Sequence, residues 1–276
     1  MNTSVLIPAH NETDWIVACL EAVLASDPVA GDVEVIVVAN GCTDDTVAKA
    51  EAFEERFTQK GWTLVVIDLA KGGKLGALNA GEAAASGEAV IYLDADVQVS
   101  PPLIGQIAEV LDTAEPRYAS GRPNVTVKGG LMIQAYTRFW RTTPFMTQGV
   151  PGFGVFAMNR AGRARWTDWP DIIADDTYAR WNFTPEERLS VPAGYDWPMI
   201  DSIGQMVRVR RRQDAGVAEI IAQFPGLEEN DDRHDEATPT WKRALRDPLA
   251  FAAYCTLRVA VHLPLWRSAN RWARGR

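Results

Sequence analysis

The amino-acid sequence predicts an α/β fold with a mostly parallel central sheet and helices on both faces, followed by a basic, aromatic, helical C-terminal tail. Three observations lead to this prediction. Hydrophobic residues make up 47% and charged residues 23% of the 276 residues, which is typical of a globular chain. Short apolar runs alternate with segments of helical periodicity over residues 1–100. Basic residues are concentrated in residues 242–276.

Four apolar, largely β-branched runs are the predicted strands of the first half: residues 4–7, 33–39, 63–68 and 89–93. Between them lie three predicted helices, over residues 11–25, 44–60 and 76–86. Strands that alternate with helices are joined by right-handed crossovers into a parallel sheet covered on both faces. Ligands of such sheets bind beyond the carboxyl ends of the strands, so the segments that follow the strands are candidate site segments: residues 8–12, 39–44, 68–74 and 94–96.

The pattern is less regular after residue 100. Helices are predicted over residues 101–111, 131–141, 174–181 and 202–213, with a short strand over residues 155–158. Residues 224–240 are acidic and have a proline near each end, which predicts a surface loop. The predicted organisation is one domain over residues 1–223, divided into halves at 1–100 and 101–223, then the acidic loop at 224–240 and a helical tail at 241–276.

The tail has an unusual charge. Residues 242–276 hold eight basic residues and one acid, a net charge of +7, while the whole chain carries −8. The tail is also aromatic and apolar, a composition typical of a helix that lies on an anionic membrane surface. A helix that packs its apolar face on the domain explains the same composition, and both interpretations stay open. A membrane-spanning helix is disfavoured, because Arg258 in the middle of the apolar stretch costs about 2.5–3.5 kcal/mol.

Charge and cysteine usage disfavour several classes of protein. An acidic chain is a poor general binder of nucleic acid, since phosphate contacts need an excess of Lys and Arg. The three cysteines, Cys19, Cys42 and Cys255, show no CxxC spacing, which favours reduced thiols over a disulfide framework or a zinc site. Residues 1–3 carry no basic residue and a short apolar run follows, which predicts no export signal. We expect a cytoplasmic protein, peripheral on the inner face of the membrane if the tail binds lipid.

Two segments carry residue types suited to phosphate chemistry. Asp94 and Asp96 end the fourth predicted strand, and paired carboxylates suit Mg2+ or Mn2+ when substrate phosphates complete the coordination. Residues 71–76 are rich in glycine, contain Lys74 and enter a helix, so that backbone, helix N-terminus and ammonium can face a diphosphate. Taken singly, each segment is better explained by an ordinary turn. The order of a Walker loop or a dinucleotide-binding loop is missing, which disfavours an NTPase or a dehydrogenase.

Four motifs occur in order: IPAHNE at residues 7–12, VVANGCTDDT at 37–46, GKLGALNAG at 73–81 and DAD at 94–96. Together they resemble the inverting family-two glycosyltransferases of the Rossmann-like GT-A fold, and four ordered motifs are more specific than any one. The resemblance is close over residues 1–100 and looser over the next hundred. Relatives usually carry Asp-Asp-Gly-Ser or Asp-Asn-Gly-Ser where this chain has Ala39 and Cys42, so the choice of nucleotide stays open.

The resemblance implies roles for residues in the first half of the chain. The residues that it places beside the donor's nucleoside are Pro8, Ala9, Glu12 and Asn40. Lys74 would approach the diphosphate. Asp94 would contact the ribose or a metal-bound water, and Asp96 would bind the divalent cation, Mn2+ or Mg2+.

The resemblance also implies roles in the second half. Asp176 would be the general base that receives the proton of the acceptor hydroxyl, with Asp175 as the second choice, although both also suit the first turn of a helix. The residues that resemble the acceptor loop are Gly152, Phe153 and Gly154. Arg211 lies in a basic segment where relatives carry an arginine near the diphosphate. His234 is a candidate metal ligand, although a solvated acidic loop is favoured there.

The implied function is metal-dependent, inverting transfer of a sugar, of the hexosyltransferase type, from a nucleoside-diphosphate sugar to the hydroxyl of a glycan or lipid-linked acceptor. The Gln-x-x-Arg-Trp motif of processive enzymes is missing after Gln205, which favours a non-processive enzyme. One alternative is a sugar-phosphate nucleotidyltransferase, which would need a Gly-rich, Arg-bearing loop after the first strand. The other is a catalytically silent sugar-binding or partner-binding module, against which the joint presence of Lys74, Asp94, Asp96 and Asp176 argues.

Overall fold

The computed structural model describes residues 1–232 and 238–263 of the chain. Its strands are β1 (Thr3–Ala9), β2 (Val33–Asn40), β3 (Thr63–Leu69), β4 (Ala89–Leu93), β5 (Gln98–Val99), β6 (Tyr118–Thr126), β7 (Val155–Asn159) and β8 (Arg188–Pro198). Its α-helices are α1 (Ile16–Leu24), α2 (Thr46–Glu51), α3 (Glu54–Lys60), α4 (Lys74–Ala84), α5 (Leu103–Leu111), α6 (Leu131–Trp140), α7 (Pro144–Thr147), α8 (Arg160–Arg163), α9 (Asp175–Trp181), α10 (Ile203–Gln223), α11 (Thr240–Arg246) and α12 (Pro248–His262).

The elements form two compact units. The first unit comprises Met1–Asn124, Gly152–Asp171 and Asn182–Trp197. The second unit comprises Val125–Pro151, Ile172–Trp181 and Pro198–Arg276. Since each unit is assembled from three stretches of the chain, its core depends on contacts between residues far apart in sequence.

The first unit is built on an eight-stranded sheet in the order β3-β2-β1-β4-β7-β6-β8-β5. Strands β3, β2, β1 and β4 are parallel neighbours, as the alternating pattern predicts, and Val5 of β1 lies between Val35 and Ile91. Strand β7 runs antiparallel to β4 and to β6, so the sheet continues with reversed direction beyond β4. The predicted α/β fold is thus confirmed. Beyond β4, strands in antiparallel pairing extend the parallel half of the sheet.

Helices cover both faces of the sheet, and the side chains at alternate positions of β2 pack against them. Val35 and Val37 belong to the core shared with buried residues of α1, α3 and α5. Ile36 and Val38 point to the opposite face and pack with Ala77 of α4. Because the side chains of a strand alternate between two faces, a run that is apolar at every position is expected only where both faces are covered.

Several predicted elements differ in extent from those observed. Helix α1 begins at Ile16 rather than near residue 11, because Asn11 has a positive φ of 53° and belongs to a turn. The helix predicted over residues 44–60 is divided into α2 and α3. Strands β6 and β8 were not predicted, since both contain Gly and Pro, which indicate loops when read locally. The helix predicted over residues 202–213 continues to Gln223 as α10.

In the second unit, the described part of the predicted tail packs on α6. Tyr254 of α12 stacks on Tyr136 of α6, with ring centroids 5.5 Å apart, and Phe251 lies 5.1 Å from Phe139. Of the two interpretations of the tail, the helix that packs its apolar face on the rest of the chain therefore describes α12. Residues 264–276 lie outside the described residues. Among the helices of the described ranges, none combines the length and the apolar character that crossing a bilayer requires.

Glu82 anchors the helix that also carries Lys74. Its carboxylate accepts two hydrogen bonds from Arg163 Nε, each 2.9 Å, and a third from Arg163 Nη2 at 2.6 Å. Trp169 Nε1 donates to the same carboxylate at 2.6 Å, and the Tyr92 hydroxyl donates at 2.5 Å. Burial, reinforced by the charge of Glu82, raises the pKa of Tyr92. This buried network ties α4 to β4 and to residues 163–169.

We expect Glu82→Ala to lower the free energy of unfolding by about 3–5 kcal/mol, because it leaves the guanidinium of Arg163 buried without its carboxylate. The side chains of Glu82 and Arg163 are both only 11% exposed. Urea denaturation measures the effect, with the exposed Glu51→Ala as a matched control that should change stability by less than about 0.5 kcal/mol. Equal losses in the two variants would refute the anchoring role.

Candidate active site

Asn40, the last residue of β2, holds two loops of the site together. Its Nδ2 donates to Ala9 O at 2.8 Å, and its Oδ1 accepts from Gly73 N at 3.0 Å. His10 Nδ1 donates to the backbone oxygen of Asn40 at 2.5 Å. Because the side chain is only 3% exposed, these contacts are shielded from water. Asn40 therefore positions the glycine-rich loop against the end of β1.

The loops after β2 and β3 meet backbone to backbone. Gly41 has a φ of +61°, and a Cβ at this position would lie 2.7 Å from Gly72 N. Any larger residue would be strained and would push the glycine-rich loop away from β2. Asn40 and Gly41 together therefore allow the backbone of the glycine-rich loop to lie against the carboxyl end of β2.

Polar contacts also fix the turn after β1. Glu12 N donates to Thr46 Oγ1 at 2.8 Å, and Thr13 N donates to Asp44 Oδ2 at 3.2 Å. Burial alone would raise the pKa of Asp44, but the hydrogen bonds from Thr46 and Thr13 outweigh it and lower the pKa. These contacts hold the segment that contains Pro8, Ala9 and Glu12 beside the start of α2. Local sequence patterns did not reveal this link, because its partners are more than thirty residues apart.

Lys74 and Asp94 form an ion pair. Lys74 is the first residue of α4, Asp94 directly follows β4, and Lys74 Nζ lies 3.0 Å from Asp94 Oδ1. Their side chains are 29% and 37% exposed, so both are accessible from one side. The structure therefore brings together the glycine-rich loop and the first carboxylate of the DAD motif, as the sequence-based interpretation requires.

Three carboxylates act on one buried thiol. Burial raises the pKa of Cys19, and the negative charges of Asp96, Asp94 and Glu12 raise it further. Glu12 follows β1, and Asp94 and Asp96 follow β4, so the three carboxylates lie beyond the carboxyl ends of two neighbouring parallel strands. The Cys19 thiol is therefore an unreactive core group. The two DAD carboxylates and Glu12, by contrast, form a concentrated region of negative charge.

The residues present fit a hard divalent cation. Asp94 and Asp96 are partly exposed oxygen donors, and Lys74 already shows that a cation can lie at Asp94. Within residues 1–232 and 238–263, no group of three or more His, Cys, Asp or Glu side chains is arranged to hold a metal. A site with two carboxylates is typical of Mg2+ or Mn2+ shared with substrate phosphates, since such ions keep water and phosphate oxygens in the remaining positions.

The loop formed by Gly152, Phe153 and Gly154 lies directly beside Asp94. Asp94 N donates to Gly154 O at 2.9 Å, and the Tyr195 hydroxyl donates to Phe153 O at 2.6 Å. The Phe153 ring is buried and meets Trp197 edge-on, with centroids 5.0 Å apart. Gly154 has a φ of +77°, and a Cβ there would lie 2.7 Å from Trp197 Cδ1.

Trp197 is a site residue that sequence reasoning missed. It is partly exposed beside the 152–154 loop, near the end of β8. Its strand was not predicted, so nothing in the local pattern placed its indole near Asp94. The ordered loop itself was recognisable from its glycines.

The second unit carries the predicted base. Asp175 and Asp176 are the first residues of α9; Asp175 is 6% exposed and Asp176 is half-buried. Asp176 Oδ1 accepts a hydrogen bond from Thr177 N at 2.7 Å in the first turn of the helix. Ile173 N, just before the helix, donates to Glu219 Oε2 at 2.9 Å. Of the two acids, Asp176 is the more accessible.

The acidic loop is more than a solvated segment. Arg180, at the end of α9, is 5% exposed and pairs with Asp231 at 2.6 Å and Asp232 at 2.8 Å. Trp181 Nε1 donates to Asp231 at 3.0 Å. Burial would raise the pKa of Asp231, but the charge of Arg180 and these hydrogen bonds lower it. The expectation of a solvated loop is thus wrong for Asp231 and Asp232, because they neutralise a buried guanidinium.

Arg211 and His234 are the other two predicted site residues. Arg211 donates from Nε to Val261 O at 2.6 Å and from Nη2 to Ala260 O at 2.9 Å, so it stabilises the C-terminal carbonyls of α12. Its predicted contact with the donor stays a prediction. His234 lies outside the described residues.

Comparison with known proteins adds independent information. Residues 4–168 match the model of glycosyl transferase family 2. The chain is 34% identical over 115 residues to an uncharacterized glycosyltransferase of Nostoc sp., covering 42% of this chain and 34% of that protein. It is 32% identical over 111 residues to an undecaprenyl-phosphate 4-deoxy-4-formamido-L-arabinose transferase of Edwardsiella ictaluri, covering 40% of this chain and 33% of that protein. The matches therefore span about a third of the length of these curated relatives.

A solved structure shows the same fold. The mannosyltransferase of Pyrobaculum calidifontis, solved in complex with GDP-Man and Mn2+, superposes with a TM-score of 0.65. The alignment covers 95% of this chain and 76% of that one at 21% identity. Since the family model covers more than half of the chain and includes the β1, β2, α4 and β4 motifs, the protein belongs to glycosyl transferase family 2.

Proposed function

We propose that this protein is a metal-dependent, inverting glycosyltransferase that moves a sugar from a nucleoside-diphosphate sugar to an acceptor hydroxyl. The observation that carries the proposal is the ion pair of Lys74 with Asp94 at the carboxyl edge of the parallel strands, where Asp96 also follows β4. Membership of glycosyl transferase family 2 supports the same reaction class. The complex of the Pyrobaculum mannosyltransferase with GDP-Man and Mn2+ supports a nucleotide-sugar donor and a divalent cation.

The donor half of the site follows from the first unit. Pro8, Ala9 and Glu12 line the nucleoside, and Asn40 positions the loop that faces the diphosphate. Lys74 leaves its pair with Asp94 to contact the diphosphate when the donor binds, because a phosphate offers more negative charge than one carboxylate. Asp96, aided by Asp94, would hold the divalent cation, which would supply positive charge to stabilise the leaving diphosphate.

The chemistry is one displacement at the anomeric carbon. The acceptor oxygen forms a bond to this carbon from the face opposite the diphosphate, which inverts the configuration. The bond from the carbon to the diphosphate oxygen breaks, and its electron pair leaves with the nucleoside diphosphate. The Asp176 carboxylate accepts the hydroxyl proton, because the hydroxyl is too weak a nucleophile at neutral pH without a base. Lys74 stabilises the negative charge that develops on the leaving group.

The acceptor is a glycan or a lipid-linked molecule, bound beside the 152–154 loop. Trp197 offers an indole next to this loop, and aromatic faces suit sugar rings. The name of the Edwardsiella relative includes undecaprenyl phosphate, a lipid-linked phosphate, which supports a lipid-linked acceptor. A single transfer is favoured over polymerisation, since the processive motif is missing after Gln205.

A screen of nucleotide sugars tests the proposal. The full-length protein is incubated with UDP-, GDP- and CMP-sugars and with Mg2+ or Mn2+, and release of the nucleotide is measured with and without glycan or lipid-linked acceptors. We expect acceptor-dependent release of one nucleoside diphosphate. Release of pyrophosphate from a nucleoside triphosphate would indicate the nucleotidyltransferase alternative instead. Calorimetry without any nucleotide-sugar binding in the presence of Mn2+ would favour the silent binding module.

Peripheral contact with the inner face of the membrane is a further part of the proposal. Large apolar side chains of α11 and α12 are exposed, with Trp241 at 61%, Leu245 at 71% and Leu249 at 77%. The surrounding segment is basic, which suits anionic lipids. A cytoplasmic location agrees with three free cysteines among the described residues. Sedimentation with phosphatidylglycerol vesicles tests the contact, and equal sedimentation with phosphatidylcholine vesicles would contradict the electrostatic part.

A further inference from the structure

A cleft of about 590 Å³ lies within the second unit, lined by residues of α6, α7 and α11 and of the segments that join them. Its charged lining residues are Arg138, Arg141, Arg243, Arg246 and Asp247. Threonine hydroxyls and the amide of Gln148 complete the polar lining. Among the described residues of the lining, four arginines and one acid give a net charge of +3, although the chain as a whole is acidic.

The arginines are held in place by the fold. Arg243 is 8% exposed, donates to Thr142 O at 2.9 Å and Thr240 Oγ1 at 2.8 Å, and lies over the Phe139 ring at 5.6 Å. Arg138 Nε pairs with Asp247 Oδ2 at 3.0 Å, and Arg141 donates to Val125 O. Ordered guanidinium groups lose little side-chain freedom when a ligand binds, which makes the cleft a preorganised site.

Arg246 differs from the other three. It is exposed at the end of α11, and no described residue accepts a hydrogen bond from its guanidinium. Four cations around one partly enclosed space repel one another, and the single carboxylate of Asp247 is already paired with Arg138. A bound anion would relieve this repulsion.

We propose that this cleft binds a phosphate group, separately from the donor site of the first unit. Guanidinium forks match phosphate oxygens in bidentate geometry, and a phosphate carries more charge than a carboxylate against the +3 of the lining. The volume lies within the range of small-ligand sites, which run from about 300 to 1,000 Å³. The phosphate belongs either to a lipid headgroup or to a soluble phosphorylated molecule, and the chemistry of recognition is the same for both.

Calorimetric titration of the full-length protein with inorganic phosphate in metal-free buffer tests the cleft. We expect saturable binding that weakens at least fivefold in Arg246→Gln and at least fiftyfold when Arg138→Gln is added. Arg258→Gln, which removes an exposed arginine of α12 outside the cleft, should bind as the wild type does. Lys74→Gln should also leave this binding unchanged, since it alters only the donor site. No saturable binding, or equal binding by the double variant and the wild type, overturns the proposal.

A second variant separates ligand binding from folding. Asp247→Asn removes the one acid of the cleft lining, while an asparagine can still accept the cap hydrogen bond from Ala250 N. We expect phosphate to bind at least threefold more tightly, a gain that partial unfolding cannot produce. Unchanged or weaker binding in a variant with wild-type thermal stability counts against the site.

Vesicles identify the source of the phosphate. If it is a lipid headgroup, the wild type sediments with vesicles that contain phosphatidic acid, and the Arg138→Gln, Arg246→Gln double variant does not. If it is a soluble molecule, only the titration with inorganic phosphate distinguishes the two proteins. Either vesicle result is compatible with the cleft and identifies only the source of the phosphate, whereas failure of the titration overturns the proposal. The nucleotide-sugar screen is unaffected by that failure, so the two proposals stand or fall separately.

Discussion

Asp96→Ala is expected to lower the rate of transfer by at least about a thousandfold, equivalent to about 4 kcal/mol of transition-state stabilisation. The variant keeps the Lys74–Asp94 pair but loses the carboxylate that we propose holds the cation. Donor binding should therefore lose its dependence on Mn2+ or Mg2+, while binding of the nucleoside part persists. Steady-state rates and donor titrations with and without metal measure both effects.

The control for Asp96→Ala is Asp112→Ala. Asp112 belongs to the same unit, its side chain is 67% exposed, and it lies after α5, away from the DAD motif. It should leave both rate and metal dependence unchanged. Metal-dependent donor binding of wild-type strength in Asp96→Ala would remove the DAD pair from the proposed site and with it the main support for the mechanism.

Asp176→Asn is expected to reduce transfer by about 10²–10⁴-fold, the usual contribution of a positioned general base. Asparagine has nearly the same shape and can still accept the hydrogen bond from Thr177 N, but it cannot take a proton at neutral pH. The donor dissociation constant should change by less than about twofold, because only the acceptor's proton transfer is affected. Single-turnover kinetics and donor titration separate these two quantities.

Two further variants decide the assignment of the base. Asp214→Asn, at an exposed position of α10 in the same unit, should have wild-type kinetics. Asp175→Asn changes the buried neighbour, and we expect it to affect stability more than the pH dependence of transfer. Full activity in Asp176→Asn together with loss of the acidic limb of the pH profile in Asp175→Asn would transfer the role to Asp175.

The parallel half of the sheet could be predicted because short stretches of the sequence carry the pattern of each strand and helix. Strand β2 is apolar over residues 35–39, since both faces of the sheet are covered, and the segments that follow such strands carry the glycines and acids of the site. The antiparallel half was not predictable in the same way. Strands β6 and β8 contain Gly and Pro, and only their pairing partners in the sheet make them strands.

The sequence alone was sufficient for the α/β alternation and the order of the four motifs, because residue types and short spacings carry that information, and the resemblance of those motifs to a known family led to Lys74, Asp94, Asp96 and Asp176 as candidates. It was not sufficient for the contact of Lys74 with Asp94, the support of the glycine-rich loop by Asn40, or the pairing of Arg180 with Asp231 and Asp232. Each of these contacts joins residues at least twenty positions apart. Their geometry arises only when the chain is folded, since packing and loop closure bring such partners together.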